Sequence, residues 1–387
     1  MSPSTDSTAW KGLETVVDRE EGLLASYAMH SRDTAGRRYP ESPHPYRGPY
    51  QRDRDRIVHS AAHRRLTHKT QVFTGELGDY HRSRLTHTLE VASIARTLAR
   101  TLRLNEDLVE ALALMHDIGH PPFGHSGEDT LAACLAEVGG FSHNRQALRI
   151  VEELEVRYHE FPGLNLSHEV LEGQRFRTEK ESAAQSPLLE VQVVDAADSI
   201  AYDAHDADDA LTLGLLEIKD LVDVPLWHEA AQRVDEHAGR LEPADLRRAV
   251  VHELIDWQVG DVLQVAAERL AAGDLDSPQA VRTAPLVIHH SSALEARKRE
   301  LEQFLFDRVY RHPQVLRVRD QAQSQLRALF DYFVQHPDAL GESYRDRVEK
   351  VGLKRSVGDY IAGMTDRFAQ RAYDRLVADP RQEATDD

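Results

Sequence analysis

Residues 111–129 read ALALMHDIGHPPFGHSGED, an apolar helical run that ends on an adjacent His116 and Asp117 and then meets three glycines and two prolines. Pro121 and Pro122 lack the amide hydrogen that a helix interior needs, so the helix carrying Leu112 and Met115 must stop close to the polar pair. A histidine and an aspartate buried at that end would cost several kcal/mol without partners. The fold must therefore bring compensating groups to 116 and 117 and bend sharply just after them.

Those groups have to come from other helices, because helical periodicity dominates the chain. RLTHTLEVASIARTLARTL places Leu85, Leu89, Ala92, Ile94, Leu98 and Leu102 mostly three or four residues apart, and EDLVEALALMHD does the same with Leu108, Leu112 and Met115. NRQALRIVEELEVR, LLEVQVVDAADSIAYDAHDADDAL, PADLRRAVVHELIDWQVGDVLQVAAERL and SALEARKRELEQFLFDRVY continue the pattern. Alternating strands are scarce, with APLVIHH near Val287 and TQVF as the two short expectations. An all-α bundle is predicted. RRYPESPHPYRGPY, from Arg37 to Tyr50, is too rich in proline for a regular helix, and the end ADPRQEATDD is polar. The reading is an arm over 1–50, a core over 51–210, further helices of the same domain over 211–375, and a tail over 376–387. No repeat or long linker divides it.

Composition narrows the chemistry. With 387 residues and 41% hydrophobic content the chain is large enough for a sizeable core. Its net charge of -18 argues against a general polyanion binder, while leaving room for a local basic pocket. Cys134, the single cysteine, excludes an intramolecular disulfide and a cysteine-based zinc ribbon, so any metal must be held by His and carboxylates. MSPSTDSTAWKGLE has no basic patch followed by an apolar run, and no stretch reaches the ~20 apolar residues of a membrane span. A cytoplasmic protein with no membrane partner is expected.

His87 lies 29 residues before His116, inside RLTHTLEVASIARTL, on a face that would pack against the next helix. Two antiparallel helices would bring it to His116 and Asp117 and form an N, N, O set suited to a divalent cation. An isolated histidine is more often a hydrogen-bonded core or surface residue; adjacency to Asp117 weighs against that here. A further carboxylate lies in VVDAADSIAYDAHDADD, where Asp198, Tyr202 and Asp206 fall at i, i+4 and i+8 and so share one helix stripe. Asp195 shares that face, and spacing leaves Asp195 and Asp198 as competing ligands.

The order His87, His116–Asp117, distant Asp resembles the HD superfamily of metal-dependent phosphohydrolases. SRLTHTLEVASIAR, HDIGHPPFGHSGE, FSHNRQALRIVE, VVDAADSIAYDAHD and FLFDRVYRHPQV are more narrowly similar to the dNTP triphosphohydrolases, over about Arg52–Asp209 and again near 303–316. The resemblance implies an HD-domain multi-helix bundle with extra C-terminal helices. It implies hydrolysis of a dNTP, dGTP among them, to deoxynucleoside and inorganic triphosphate by water attack at the α-phosphorus. It implies metal ligands His87, His116, Asp117 and Asp198, the aspartate four residues before Tyr202, and places Tyr202 and Asp206 at the sugar and triphosphate. Two His and two Asp accept Mg, Mn, Fe, Co, Ni or Zn.

Other residues acquire roles from position and resemblance together. Arg84, one turn before His87, would reach the phosphates, with Arg82 and His81 as weaker neighbours. His125 and Glu128 are three apart, so the carboxylate would orient an imidazole that donates a proton to the leaving 5′ oxygen. Ser126 and Asp129 fit a capping box at that helix start. The resemblance puts His120 and His143 in the active site and Gln71 near the deoxyribose 3′ hydroxyl; Lys69 would add positive charge. It also implies a homo-oligomer, a hexamer among its forms.

Two alternatives share parts of this pattern. Another HD phosphohydrolase, a 5′-nucleotidase or a guanosine tetraphosphate hydrolase, would keep the ligands but is not expected to carry HPPFGHSGE. A weakly catalytic dNTP sensor or single-stranded DNA binder would use RRLTHK or RVYRHPQVLRVR, which would equally serve a nucleotide effector.

Overall fold

The computed structural model describes residues 15–71, 82–179, 184–239, 241–273 and 275–378. Every regular element among them is helical, and β-pairing is confined to three isolated bridges: Arg37 with Ser167, Thr70 with Ser83, and Val156 with Gly163. No described helix is long and apolar enough to cross a membrane.

The strand expected at APLVIHH does not form. Gln192 Oε1 accepts from Val287 N at 2.8 Å and Ile288 N at 3.1 Å, so a buried side chain takes the amides that a neighbouring strand would have used. TQVF lies partly outside the described residues, as does His81; its Thr70 makes one of the bridges.

Among the described residues, apolar side chains collect in three buried clusters. The first joins the helices Arg84–Thr101, Glu106–Met115 and His168–Glu179 to the first half of Leu189–Thr212, through Val91, Leu98, Leu112, Val170 and Val194. Ala204, Ala207 and Ala210, in the second half of Leu189–Thr212, belong to a second cluster with the helices Pro225–Ala238, Pro243–Ala272 and Ser292–Leu305. The third packs Leu131 of Gly124–Cys134 and the following Leu135 against Pro313–Gln335 and Leu353–Ala362. Leu189–Thr212 thus belongs to two cores, and its middle turns are fixed from both sides.

Caps set where the central helices begin. Ser83 Oγ accepts from Thr86 N, and Asn105 Oδ1 from Leu108 N, each satisfying an amide that the first turn leaves open. The capping box expected at Ser126 and Asp129 is absent, because the helix starts two residues earlier, at Gly124. Phe123 and Gly124 both take positive φ, 62° and 56°, and this left-handed turn swings the chain into the helix before Ser126 is reached. Asp366 holds the turn, its Oδ1 accepting from Phe123 N at 3.0 Å while Oδ2 accepts from Thr70 N and Oγ1 at 2.9 and 2.6 Å.

Gly119 explains how the bend reaches the next helix. A Cβ there would lie 2.0 Å from His143 O and 2.4 Å from Ala147 N, so backbone meets backbone with no room for a methyl group. Gly119→Ala is expected to destabilise the protein by about 3 kcal/mol through forced displacement of His143–Arg149. Urea unfolding checks this, and a midpoint equal to wild type would refute it.

Candidate active site

Helix Glu106–Met115 ends at His116, and the polar pair enters a cavity of about 600 Å³. His116 Nδ1 lies 2.6 Å from Ala113 O, which makes Nδ1 the protonated nitrogen and leaves the Nε2 lone pair free. That Nε2 is buried and has no hydrogen-bond partner among the described residues. Burial also pushes the His116 imidazolium pKa down, favouring the neutral ligand form. One donor atom each from His87, His116 and Asp117 lies within 4.8 Å of the others. Asp198 Oδ1 joins them, 3.1 Å from His87 Nε2 and 3.7 Å from His116 Nε2.

Arginines hold the outer oxygens of both carboxylates. Arg84 Nη1 donates to Asp117 Oδ2 at 2.9 Å, and Arg177 Nη2 donates to Asp198 Oδ2 at 2.6 Å. Burial alone would raise the Asp117 pKa, but His120, Arg84 and His116 outweigh it and hold the carboxyl well below the usual range. Two ionised carboxylates and a neutral, unpartnered imidazole are a donor set that fits a divalent cation.

A second polar group faces the same cavity. Glu128 Oε2 lies 3.2 Å from His125 Nδ1, and both Glu128 oxygens lie 2.9 Å from His143 Nδ1. The His143 ring stacks on that of His120 at a 3.9 Å centroid distance. Burial acts to raise the Glu128 pKa, yet the two imidazole hydrogen bonds dominate and hold it far below the usual range. His125 is 71% exposed at its side chain and His143 22%, so one carboxylate ties an accessible imidazole to a largely enclosed one.

Tyr202 and Tyr310 line the far wall, their rings 28° from parallel with centroids 6.4 Å apart. Gln71 also lines the cavity, with Oε1 buried and unpartnered. Three expected residues stand back from it. Asp206 does not line the cavity and instead accepts a hydrogen bond from the Tyr310 hydroxyl. Lys69 turns away, its Nζ donating to His120 O at 2.6 Å and Ala362 O at 3.0 Å, and burial pushes its pKa down to about 7. Its geometry is that of a brace between the bend and the C-terminal helices rather than a phosphate contact. Arg82 is taken up by Glu90 at 2.9 Å and Asp209 at 2.5 Å.

Two cavity residues, Arg177 and Tyr310, had no assigned role in the sequence reading. Tyr310 lies in FLFDRVYRHPQV, which spacing marks only as an amphipathic helix, and Arg177 lies in QRFRTEK, an ordinary polar helix end. The signal for Tyr310 is an aromatic inside a stretch dense in charged residues.

The buried Asp206 gives a pH test. Burial raises its pKa from 3.8 to about 7, so the folded state keeps a proton that the unfolded state releases between those values. Wild-type stability should therefore fall as pH rises from 4 to 7, relative to Asp206→Asn, by up to about 1.4 kcal/mol per pH unit. Parallel urea-unfolding curves across that range would remove Asp206 as the source.

An all-helical frame that turns two histidines and two aspartates toward one point, beside a carboxylate-linked histidine pair, defines an HD-domain phosphohydrolase. The HD domain model matches residues 84–203, and the phosphohydrolase-associated domain model matches 288–375. A deoxyguanosinetriphosphate triphosphohydrolase-like protein of Leptospira interrogans is 38% identical, over 94% of this chain and 98% of its own. Proteins of the same description from Geobacter sulfurreducens and Bordetella pertussis are each 44% identical, over 92% and 91% of this chain and 96% of theirs. The chain belongs to the deoxyguanosinetriphosphate triphosphohydrolase-like family. A crystal structure of a hypothetical protein from Aquifex aeolicus aligns over 70% of both chains at 17% identity, with a TM-score of 0.33.

Proposed function

We propose that this chain hydrolyses deoxynucleoside triphosphates, dGTP among them, to deoxynucleoside and inorganic triphosphate. The observation that carries this reading is the opening of the cation-type cluster and the Glu128-linked histidines into one cavity with an aromatic wall. His87, His116, Asp117 and Asp198 would hold the cation. When bound, a divalent ion supplies a water acidic enough to attack at neutral pH and charge to offset the phosphate oxygens.

The protein's own groups do the rest. Arg84 fixes Asp117 and adds positive charge beside the phosphates, with the buried His120 next to it. His125 serves as the acid for the departing 5′ oxygen, held by Glu128, whose carboxylate His143 shares. Gln71 Oε1 is an open acceptor suited to a sugar hydroxyl. Tyr202 and Tyr310 give the nucleoside a flat apolar wall, and Asp206 acts by holding the Tyr310 hydroxyl. In this reading the chain works in the cytoplasm as a homo-oligomer; sedimentation of the active protein checks the assembly, and an active monomer overturns it.

The test is product analysis. Purified protein is incubated with Mg or Mn and each dNTP, singly and in mixtures, and both products are separated by chromatography. Deoxynucleoside with inorganic triphosphate is expected, and faster turnover in mixtures would indicate a nucleotide effector. Release of monophosphate or pyrophosphate in place of triphosphate would overturn this reading, and parallel incubation with a deoxynucleoside monophosphate and with guanosine tetraphosphate tests the 5′-nucleotidase and guanosine tetraphosphate hydrolase alternatives.

A further inference from the structure

Arg177 sits near the end of helix His168–Glu179, in a stretch to which spacing assigns nothing. It lines the cavity with a side chain only 15% exposed. Its guanidinium is divided three ways. Nε pairs with Asp195 Oδ1 at 3.3 Å and Nη2 with Asp198 Oδ2 at 2.6 Å, while Nη1 is buried with no hydrogen-bond partner among the described residues. Leaving such a donor unmade costs about 1–3 kcal/mol, a cost that a bound acceptor removes.

The other arginines of the cavity are less free. Arg84 spends both terminal nitrogens, Nη1 on Asp117 and Nη2 on Gln71 O, and keeps only Nε unpaired. Arg319 is 43% exposed and paired with Asp129. Among the lining residues Arg84, Arg177 and Arg319 face Asp117, Asp195 and Asp198, so arginine and aspartate charges balance. A triphosphate entering this cavity therefore depends on the cation and on whatever N–H donors remain unspent. Arg177 has a terminal one, on the residue that also holds the Asp198 carboxylate.

The geometry points to Arg177 as a triphosphate-binding residue: Nη1 donates to a phosphate oxygen while Nε and Nη2 keep Asp195 and Asp198 in place. This rests on the reading of the cavity as a nucleoside triphosphate site. The planar fork matters, since a lysine ammonium supplies the charge but not three fixed directions.

The test uses inorganic triphosphate and a deoxynucleoside as separate probes, titrated calorimetrically into Mn-saturated wild type, Arg177→Gln and Arg177→Lys. Mn binding is titrated first for each protein, to show that the cluster is intact. Loss of one charge-assisted hydrogen bond should weaken triphosphate binding about 10- to 100-fold in Arg177→Gln. Deoxynucleoside affinity should be unchanged, and Arg177→Lys should fall between. Triphosphate affinity within twofold of wild type in Arg177→Gln overturns the proposal, as does a parallel loss for both probes. If the Gln variant does not fold, the Lys variant decides by the same comparison. Wild-type protein that binds neither triphosphate nor the deoxynucleoside overturns the reading of the cavity itself, a result distinct from either.

Discussion

His116→Ala is expected to abolish turnover and cation binding together. The ring is positioned by its Nδ1 contact to Ala113 O, and its Nε2 is a buried lone pair with no protein partner. No other side chain in the cluster can substitute, because His87 and Asp198 already face each other across 3.1 Å. Cation affinity should fall by more than about 100-fold, the upper end of what losing a mere supporting partner costs a metal site. Metal-free stability should fall modestly, by about 1–3 kcal/mol for a buried polar contact removed. Calorimetric titration with Mn checks the affinity. Thermal unfolding adds a second readout, since Mn should raise the wild-type melting temperature and leave that of the variant in place. A variant that still binds Mn with wild-type affinity would show that the ion sits elsewhere.

Glu128→Ala should separate chemistry from metal binding. Glu128 contacts His125, His143 and the His143 backbone N, and makes no contact with the His116–Asp117 cluster. Its loss frees both rings from the carboxylate that positions them, so turnover should fall by about 10²- to 10⁴-fold, the usual contribution of general acid–base catalysis. KM and Mn affinity should change little. Glu128→Gln, which keeps an acceptor but no charge, should be intermediate. Mn affinity lost in step with turnover would place Glu128 in the cation site instead of beside it.

Much of this site was legible because its signals are local. Asp198 and Tyr202 are four apart and His125 and Glu128 three apart, so a helix brings each of these pairs to one face whatever surrounds it, while His116 and Asp117 are neighbours in the chain itself. The all-helical class followed from periodicity over many turns. Short segments were less legible. APLVIHH alternates like a strand, yet a strand exists only if another chain segment pairs with it, and Gln192 occupied its amides instead. The Ser126–Asp129 cap failed because a left-handed turn at Phe123, held by Asp366 from 243 residues away, started the helix early.

The sequence by itself determined the helical class, the break after Asp117 and the side chains offered on each helix face, since these depend on neighbours within a turn or two. The tertiary structure alone decided which of them meet. It turned Lys69 into a backbone brace, set Asp206 behind Tyr310, gave Glu128 to two histidines and brought Arg177 to Asp198. Those outcomes rest on contacts between residues 15 to 293 positions apart, where burial and competition for partners choose among pairings that no spacing rule ranks.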